Sequence, residues 1–117
     1  MPEVLGYNAR VWADSAKASE ETDALIMVCE ASGELVIEPM KRPATSAAAW
    51  DAVYVRWLAA RGAPNEMVTD GGGELGSNEF NERCERAGIT PRKTASASSE
   101  SHGRVERVVR TVRWSLD

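Results

Sequence analysis

Histidine and cysteine are scarce in this chain of 117 residues, and the shortage removes a class of function. One histidine and two distant cysteines, Cys29 and Cys84, cannot furnish a zinc module of the usual spacing. The cysteines fall in segments that read as a strand and a helix. The N-terminal Met1-Pro2-Glu3-Val4 lacks the basic start and apolar stretch of a secretory signal, so both thiols are read as reduced, buried residues of an intracellular protein. Long apolar runs are also missing. The longest, Ala24 to Cys29, is far too short to cross a bilayer, so no membrane partner is expected. What remains, at 43% hydrophobic and 27% charged, is the composition of one small globular domain.

The net charge of −4 hides an asymmetry. Residues 1–82 carry 6 Lys and Arg against 14 Asp and Glu, whereas residues 83–117 carry 8 against 4. A basic tail on an acidic body suggests one localised anionic partner, although a solvated basic helix accounts for the charge equally well.

Three segments, Ala9–Ser15, Ala24–Glu30 and Glu34–Met40, read as strands of an antiparallel meander. Thr45 or Ser46 can cap a helix over Ala47–Arg61, with Trp50, Val53, Tyr54, Trp57 and Leu58 as its apolar stripe. Glu66–Thr69 is a short fourth strand that runs into Asp70 and three glycines. Ser77 or Asn78 caps a second helix to Ala87, and Ile89–Thr94 is a fifth strand weakened by Pro91. Thr94–Ser101 is small and polar, a flexible loop. A last helix starts near Ser99 or Ser101 and reaches Leu116, with Val105, Val108, Val109, Val112 and Leu116 along one stripe. The order βββαβαβα predicts an α/β fold with a mixed five-stranded sheet, its first three strands antiparallel and the rest parallel, flanked by helices.

Three acids stand where an open α/β sheet collects ligands. Asp14 is read as ending the first strand, Asp70 ends the fourth, and Glu106 lies on the last helix away from the valine stripe. If strands one and four are neighbours, the three carboxylates converge. Without a nearby lysine in sequence they would repel one another unless cations lay between them, and hard oxygen donors favour Mg²⁺ or Mn²⁺. Taken alone, three surface acids among 18 would explain them as well.

Their surroundings add more. Thr69-Asp70-Gly71-Gly72-Gly73-Glu74-Leu75, Asn78-Glu79-Phe80, Ala87-Gly88-Ile89 and His102-Gly103-Arg104-Val105-Glu106-Arg107, followed by Arg110-Thr111, resemble the catalytic core of retroviral and retrotransposon integrases. That family carries an Asp, Asp, Glu triad with 35 residues between its last two members, and 35 residues separate Asp70 from Glu106 here. Val11-Trp12-Ala13-Asp14 looks like the family's first strand and first acid, Ala31-Ser32-Gly33 like its hairpin turn, and Trp57 to Pro64 like the helix and Gly-x-Pro before the second acid.

The resemblance covers nearly the whole chain and implies a ribonuclease-H-like fold. It also implies a divalent-metal-dependent polynucleotidyl transferase with endonuclease activity, which trims element DNA 3′ ends and joins them to target DNA. Asp14, Asp70 and Glu106 would be catalytic and would hold two Mg²⁺ or Mn²⁺ ions in the active complex. Arg110 and Arg113 share a helical face with Glu106 and would contact DNA, unless they form a solvated stripe. Arg107, His102 and Lys93 are weaker DNA-binding candidates: His102 reads as a loop or phosphate contact, and Lys93, beside Arg92, meets DNA or merely solubilises a sheet edge. Gly71–Gly73 reads as a tight turn, and Trp114 as a candidate subunit contact.

Further implications concern context. Residues 1–117 are expected to be a catalytic core alone, shortened at its C-terminal end, with neither the zinc-binding N-terminal nor the DNA-binding C-terminal domain of the family. Partners would be DNA and further copies in a homodimer or higher oligomer; the setting would be the nucleus or the retroelement particle. Two other possibilities stand beside this one. A generic ribonuclease-H-like nuclease or transposase core is disfavoured by the 35-residue spacing, and a degenerate or domesticated domain would bind nucleic acid or a protein without catalysis.

Overall fold

The computed structural model describes residues 6–94 and 102–116, with the side chains of His102 and Arg104 outside the description. Five strands form one sheet in the order β3-β2-β1-β4-β5. β1 (Arg10–Lys17), β2 (Thr22–Cys29) and β3 (Leu35–Lys41) make the antiparallel meander. β4 (Glu66–Thr69) pairs in parallel with β1, and β5 (Thr90–Lys93) in parallel with β4. β5 is an edge strand, where Pro91 lacks an amide hydrogen at little cost.

The helices divide between the two faces. α1 (Ser46–Val53), a π turn (Tyr54–Leu58), α2 (Ala59–Arg61) and, after a 3₁₀ turn (Gly73–Gly76), α3 (Asn78–Arg86) cover one face. Their core joins Leu25, Met27 and Met67 of the sheet to Ala49, Val53, Trp57 and Phe80. α4 (His102–Leu116) is the one helix on the other face among the described residues, where Val105 and Val112 pack on Trp12, Ile26, Val28 and Val68. The predicted caps are present: the Thr45 hydroxyl accepts from the Ala48 amide at 3.1 Å and the Ser77 hydroxyl from the Phe80 amide at 3.1 Å. The polar run 95–101, read above as a flexible loop, lies outside the described residues, as do the two serines proposed to start the last helix.

Two expectations need correction. Asp14 does not end β1, because β1 stays paired with β2 as far as Lys17 opposite Asp23. Tyr54 is not in the apolar stripe: it is 54% exposed, while Ala49, Ala52, Val53 and Trp57 are buried. Ala49, Ala52, Val53 and Trp57 keep the ordinary three- and four-residue spacing, so the buried stripe follows the Ala49–Val53–Trp57 line and Tyr54 falls to one side of it.

At the end of β1 opposite the cleft described below, Arg61 and Tyr7 clamp Glu34. The Arg61 guanidinium donates at 2.8 Å and the Tyr7 hydroxyl at 2.6 Å, and together they hold the Glu34 carboxyl far below the usual carboxylate range, at about 2. A depressed carboxyl stabilises the fold above its unfolded-state value near 4.5 and ceases to do so as the pH falls through about 2. Glu34→Gln is therefore expected to melt below wild type at neutral pH, with the two converging as the pH falls from 4.5 towards 2. Thermal melts of both proteins across that range check it; a gap that does not narrow would show that Glu34 contributes by packing rather than by charge.

Candidate active-site cleft

The parallel register between β1 and β4 sets the site. Arg10 stands opposite Glu66, Val11 opposite Met67 and Trp12 opposite Val68, and pairing stops there. Continued by two residues, the same offset brings Asp14 level with Asp70. Alternation puts both on the face that carries Trp12, Val68 and α4. Beyond Val68 the two strands are no longer hydrogen-bonded to each other, which leaves room between the acids.

That room is a cleft of about 420 Å³. Trp12, Ala13 and Val68 form its floor, Asp14 and Asp70 one wall, and Glu106 and Val109 of α4 the other. Arg110 and Arg113 stand at its rim, and Thr94 closes one end. Thr94 is tied there by its hydroxyl, which donates to the Thr69 carbonyl at 3.0 Å.

Each aspartate is oriented locally. Asp14 Oδ1 accepts from the Ser15 amide at 2.9 Å, and Asp70 Oδ1 accepts from the Gly72 amide at 2.9 Å. The latter bond starts the turn that carries the chain away from β4. Gly71 and Gly73 adopt φ of +80° and +58°, a conformation that favours glycine, in line with the expected tight turn. The stem of Lys93 lies across Gly71.

Arg113 is the contact that the sequence does not announce. Its Nη1 donates to Asp14 Oδ2 at 2.6 Å and to the Ser15 carbonyl at 3.1 Å. A positive charge thus compensates Asp14 from 99 residues away. The other basic candidates are placed differently. Arg107 is exposed on the outer side of α4, and Lys93 lines a separate cavity of about 110 Å³ with Asn81 and Arg92. His102 begins α4, with its side chain outside the description. Trp114 is 83% exposed.

Deeper in the sheet, Trp12 is fixed from behind. Its indole donates to Glu30 at 2.9 Å, and Glu30 and Glu66 both pair with the buried Arg10. This network missed by sequence reading holds the cleft floor, with Arg10 Nε 2.9 Å from Glu66. Burial pushes the Cys84 thiol up to about 12, so it carries no nucleophilic chemistry.

The cleft's donors suit a hard divalent ion in kind: three carboxylates border one space, one on β1, one directly after the neighbouring β4 and one on α4. Among the described residues, no three His, Cys, Asp or Glu side chains are drawn together closely enough to hold one ion. Nor is any described helix long and apolar enough to cross a membrane.

Comparison with known proteins adds the decisive observation. No protein-family profile and no curated protein matches the sequence. Solved structures do match. The magnesium-bound dimeric form of the HTLV-2 integrase catalytic core domain superposes with a TM-score of 0.67 at 21% identity, over 93% of this chain and 72% of that one. The simian T-cell lymphotropic virus intasome in complex with the PP2A regulatory subunit B56 gamma gives 0.73 at 24% identity, over 93% of this chain and 39% of that one. The chain has the fold of a retroviral integrase catalytic core. A trimeric form of the HTLV-2 core, also with magnesium, matches with a TM-score of 0.67. The mixed sheet and helix placement expected from the sequence are therefore those of an integrase core, of the ribonuclease-H-like class. In an integrase-core fold the cleft between β1, β4 and α4 is also the place where a topological argument puts a ligand, outside the carboxyl ends of the parallel strands.

Proposed function

We propose that this chain is a retroelement integrase core, a divalent-metal-dependent polynucleotidyl transferase that trims element DNA ends and joins them to target DNA. One observation carries the proposal: in an integrase-core fold, Asp14 on β1 and Asp70, the residue directly after β4, share a cleft with Glu106. Asp14, Asp70 and Glu106 would hold Mg²⁺ or Mn²⁺. Two such ions, when bound, stabilise the attacking and leaving oxygens of an in-line phosphodiester displacement. The chain's own residues place the strand. Arg110, at the rim, binds a phosphate beside the scissile bond, and Arg113 does so once it leaves Asp14. The floor of Trp12, Ala13 and Val68 limits water around the reacting oxygens. The active assembly is an oligomer, as the HTLV-2 core was solved in dimeric and trimeric forms, and it works on DNA in the nucleus or the element particle.

The Arg113–Asp14 ion pair is the observation that favours the second possibility, a domain that binds nucleic acid or a protein without catalysis. Titration with Mn²⁺, followed by calorimetry, separates the two. Wild type is expected to bind the ion and to catalyse metal-dependent strand transfer on a branched DNA substrate. Arg113→Ala is expected to bind it up to about fivefold more tightly, because a half-exposed ion pair that competes for Asp14 contributes at most about 1 kcal/mol. No binding by either protein at millimolar metal would leave the non-catalytic reading in place.

A further inference from the structure

We infer that the Asp70–Gly71 step is a site of spontaneous backbone isomerisation, which turns Asp70 into isoaspartate, and that the Thr69 hydroxyl restrains it. The inference does not rest on the integrase reading. An aspartate can close a succinimide ring onto the nitrogen of the next residue, and glycine has no Cβ to crowd that nitrogen. Asp14, Asp23 and Asp51 precede serine or alanine, and Asp70 alone precedes glycine. The fold sharpens the contrast. Asp14 and Asp23 lie in paired strands and Asp51 lies inside α1, whereas Asp70 is exposed just beyond the end of β4.

The turn brings the reacting atoms together and then holds one of them back. Asp70 Oδ1 accepts from the Gly72 amide at 2.9 Å, and the loop of atoms closed by that bond contains both Asp70 Cγ and the Gly71 nitrogen. Carbon and nitrogen therefore lie on one side of the turn. The Gly71 amide hydrogen, however, is engaged by Thr69 Oγ1 at 3.1 Å. Thr69 is buried, and its carbonyl accepts from the Thr94 hydroxyl at 3.0 Å, so the restraint is itself anchored. In the reaction the Gly71 nitrogen bonds to Asp70 Cγ. Its proton and one carboxylate oxygen leave, with a proton from solvent, as water. A water then opens the ring and the solvent proton is returned. Opening at the Asp70 main-chain carbonyl leaves the chain running through the side chain, longer by a methylene, with the carboxylate directly on Cα. Residue 70 then no longer presents its acid to the cleft as Asp70 does.

The test ages the full chain at neutral pH and body temperature with chelator present, then digests it with trypsin. The peptide 62–83 carries residue 70. Electron-transfer fragmentation locates isoaspartate within it, and the unchanged mass separates isomerisation from deamidation of Asn65, Asn78 or Asn81. Isoaspartate is expected at position 70 in wild type, and not at 14, 23 or 51. Thr69→Val is expected to speed its formation about threefold or more, the scale of one lost neutral hydrogen bond. Thr69→Ser keeps the hydroxyl and should stay near wild type. Absence of isoaspartate at 70 from wild type, by the time a synthetic peptide of residues 62–83 has fully converted, overturns the inference. Equal rates in Thr69→Val and wild type overturn it too. So does a rise in Thr69→Val shared by 14, 23 and 51, which would assign the protection to the fold as a whole rather than to Thr69.

Discussion

Alanine at position 76 is expected to destabilise the domain by about 3 kcal/mol or more and lower its melting temperature by roughly 10 °C or more. A Cβ on Gly76 would overlap the carbonyl oxygen and carbon of Gly71. Both are backbone atoms, so no side-chain rotation relieves the overlap, and the segment from Gly71 to Gly76 must open. That segment leaves β4 directly after Asp70 and is closed by the Gly76 amide donating to the Gly72 carbonyl at 3.2 Å. The variant should therefore lose cation affinity as well as stability. Two glycines serve as controls. A Cβ on Gly73 meets open space but sits at φ +58°, which costs about 1–2 kcal/mol. Gly103 is within α4 with nothing close by among the described residues, and alanine there should be neutral or stabilising by up to about 1 kcal/mol. A Gly76→Ala melt within about 2 °C of wild type would mean that the turn is not closed in this way.

Asp70→Asn combined with Glu106→Gln is expected to abolish divalent-ion binding and to reduce strand transfer by about a thousandfold or more, the scale of losing an electrostatic stabiliser at a reacting centre. Stability should hold or rise, because neither acid anchors the core and two like charges leave one cleft. Asp14→Asn differs in sign. It leaves Arg113 with a weaker acceptor and should cost up to about 1 kcal/mol while also removing ion binding. Glu74→Gln is the control: its backbone carbonyl accepts from Ser46 and Ser77, and that bond survives the change of side chain. Calorimetric metal titration, strand-transfer assays and thermal melts on the four proteins check the set. Ion binding that persists in the double variant would remove the carboxylates from the proposal. A collapse of the fold would make them structural.

Most of the architecture was legible because the local signals agree with the tertiary solution. The apolar run through β2 marks a strand covered on both faces, and Thr45 and Ser77 mark helix starts by their hydroxyls. The failures have physical causes. Asp14 and Ser15 look like the end of a strand because they are polar, yet the ladder to β2 continues through them, opposite Ile26 and Leu25. Tyr54 looks like a core residue because it is large and falls at a helical interval. Small alanines at 49 and 52 take the buried places instead, which turns the buried stripe away from Tyr54. For the site, the three acids could be picked out by spacing and resemblance. The Arg113 contact with Asp14 could not, since only the docking of α4 against β1 brings residues 14 and 113 together. The Arg10, Glu30 and Glu66 network was equally invisible, because each partner alone resembles one more surface charge.

The register of β1 against β4 acts as a parity rule on insertions and deletions. Between Arg10 and Asp14, and between Glu66 and Asp70, the count of residues decides which face of the sheet each carboxylate occupies. One residue added or removed in either stretch would turn an acid away from α4 and towards the core of Val53 and Trp57. The connections at 18–21 and 30–34 lie outside those stretches and can change length without altering the phase. Among divergent versions of this domain, length variation should therefore collect in the connections, while the four-residue steps leading to both aspartates stay fixed even where every other residue in them has changed.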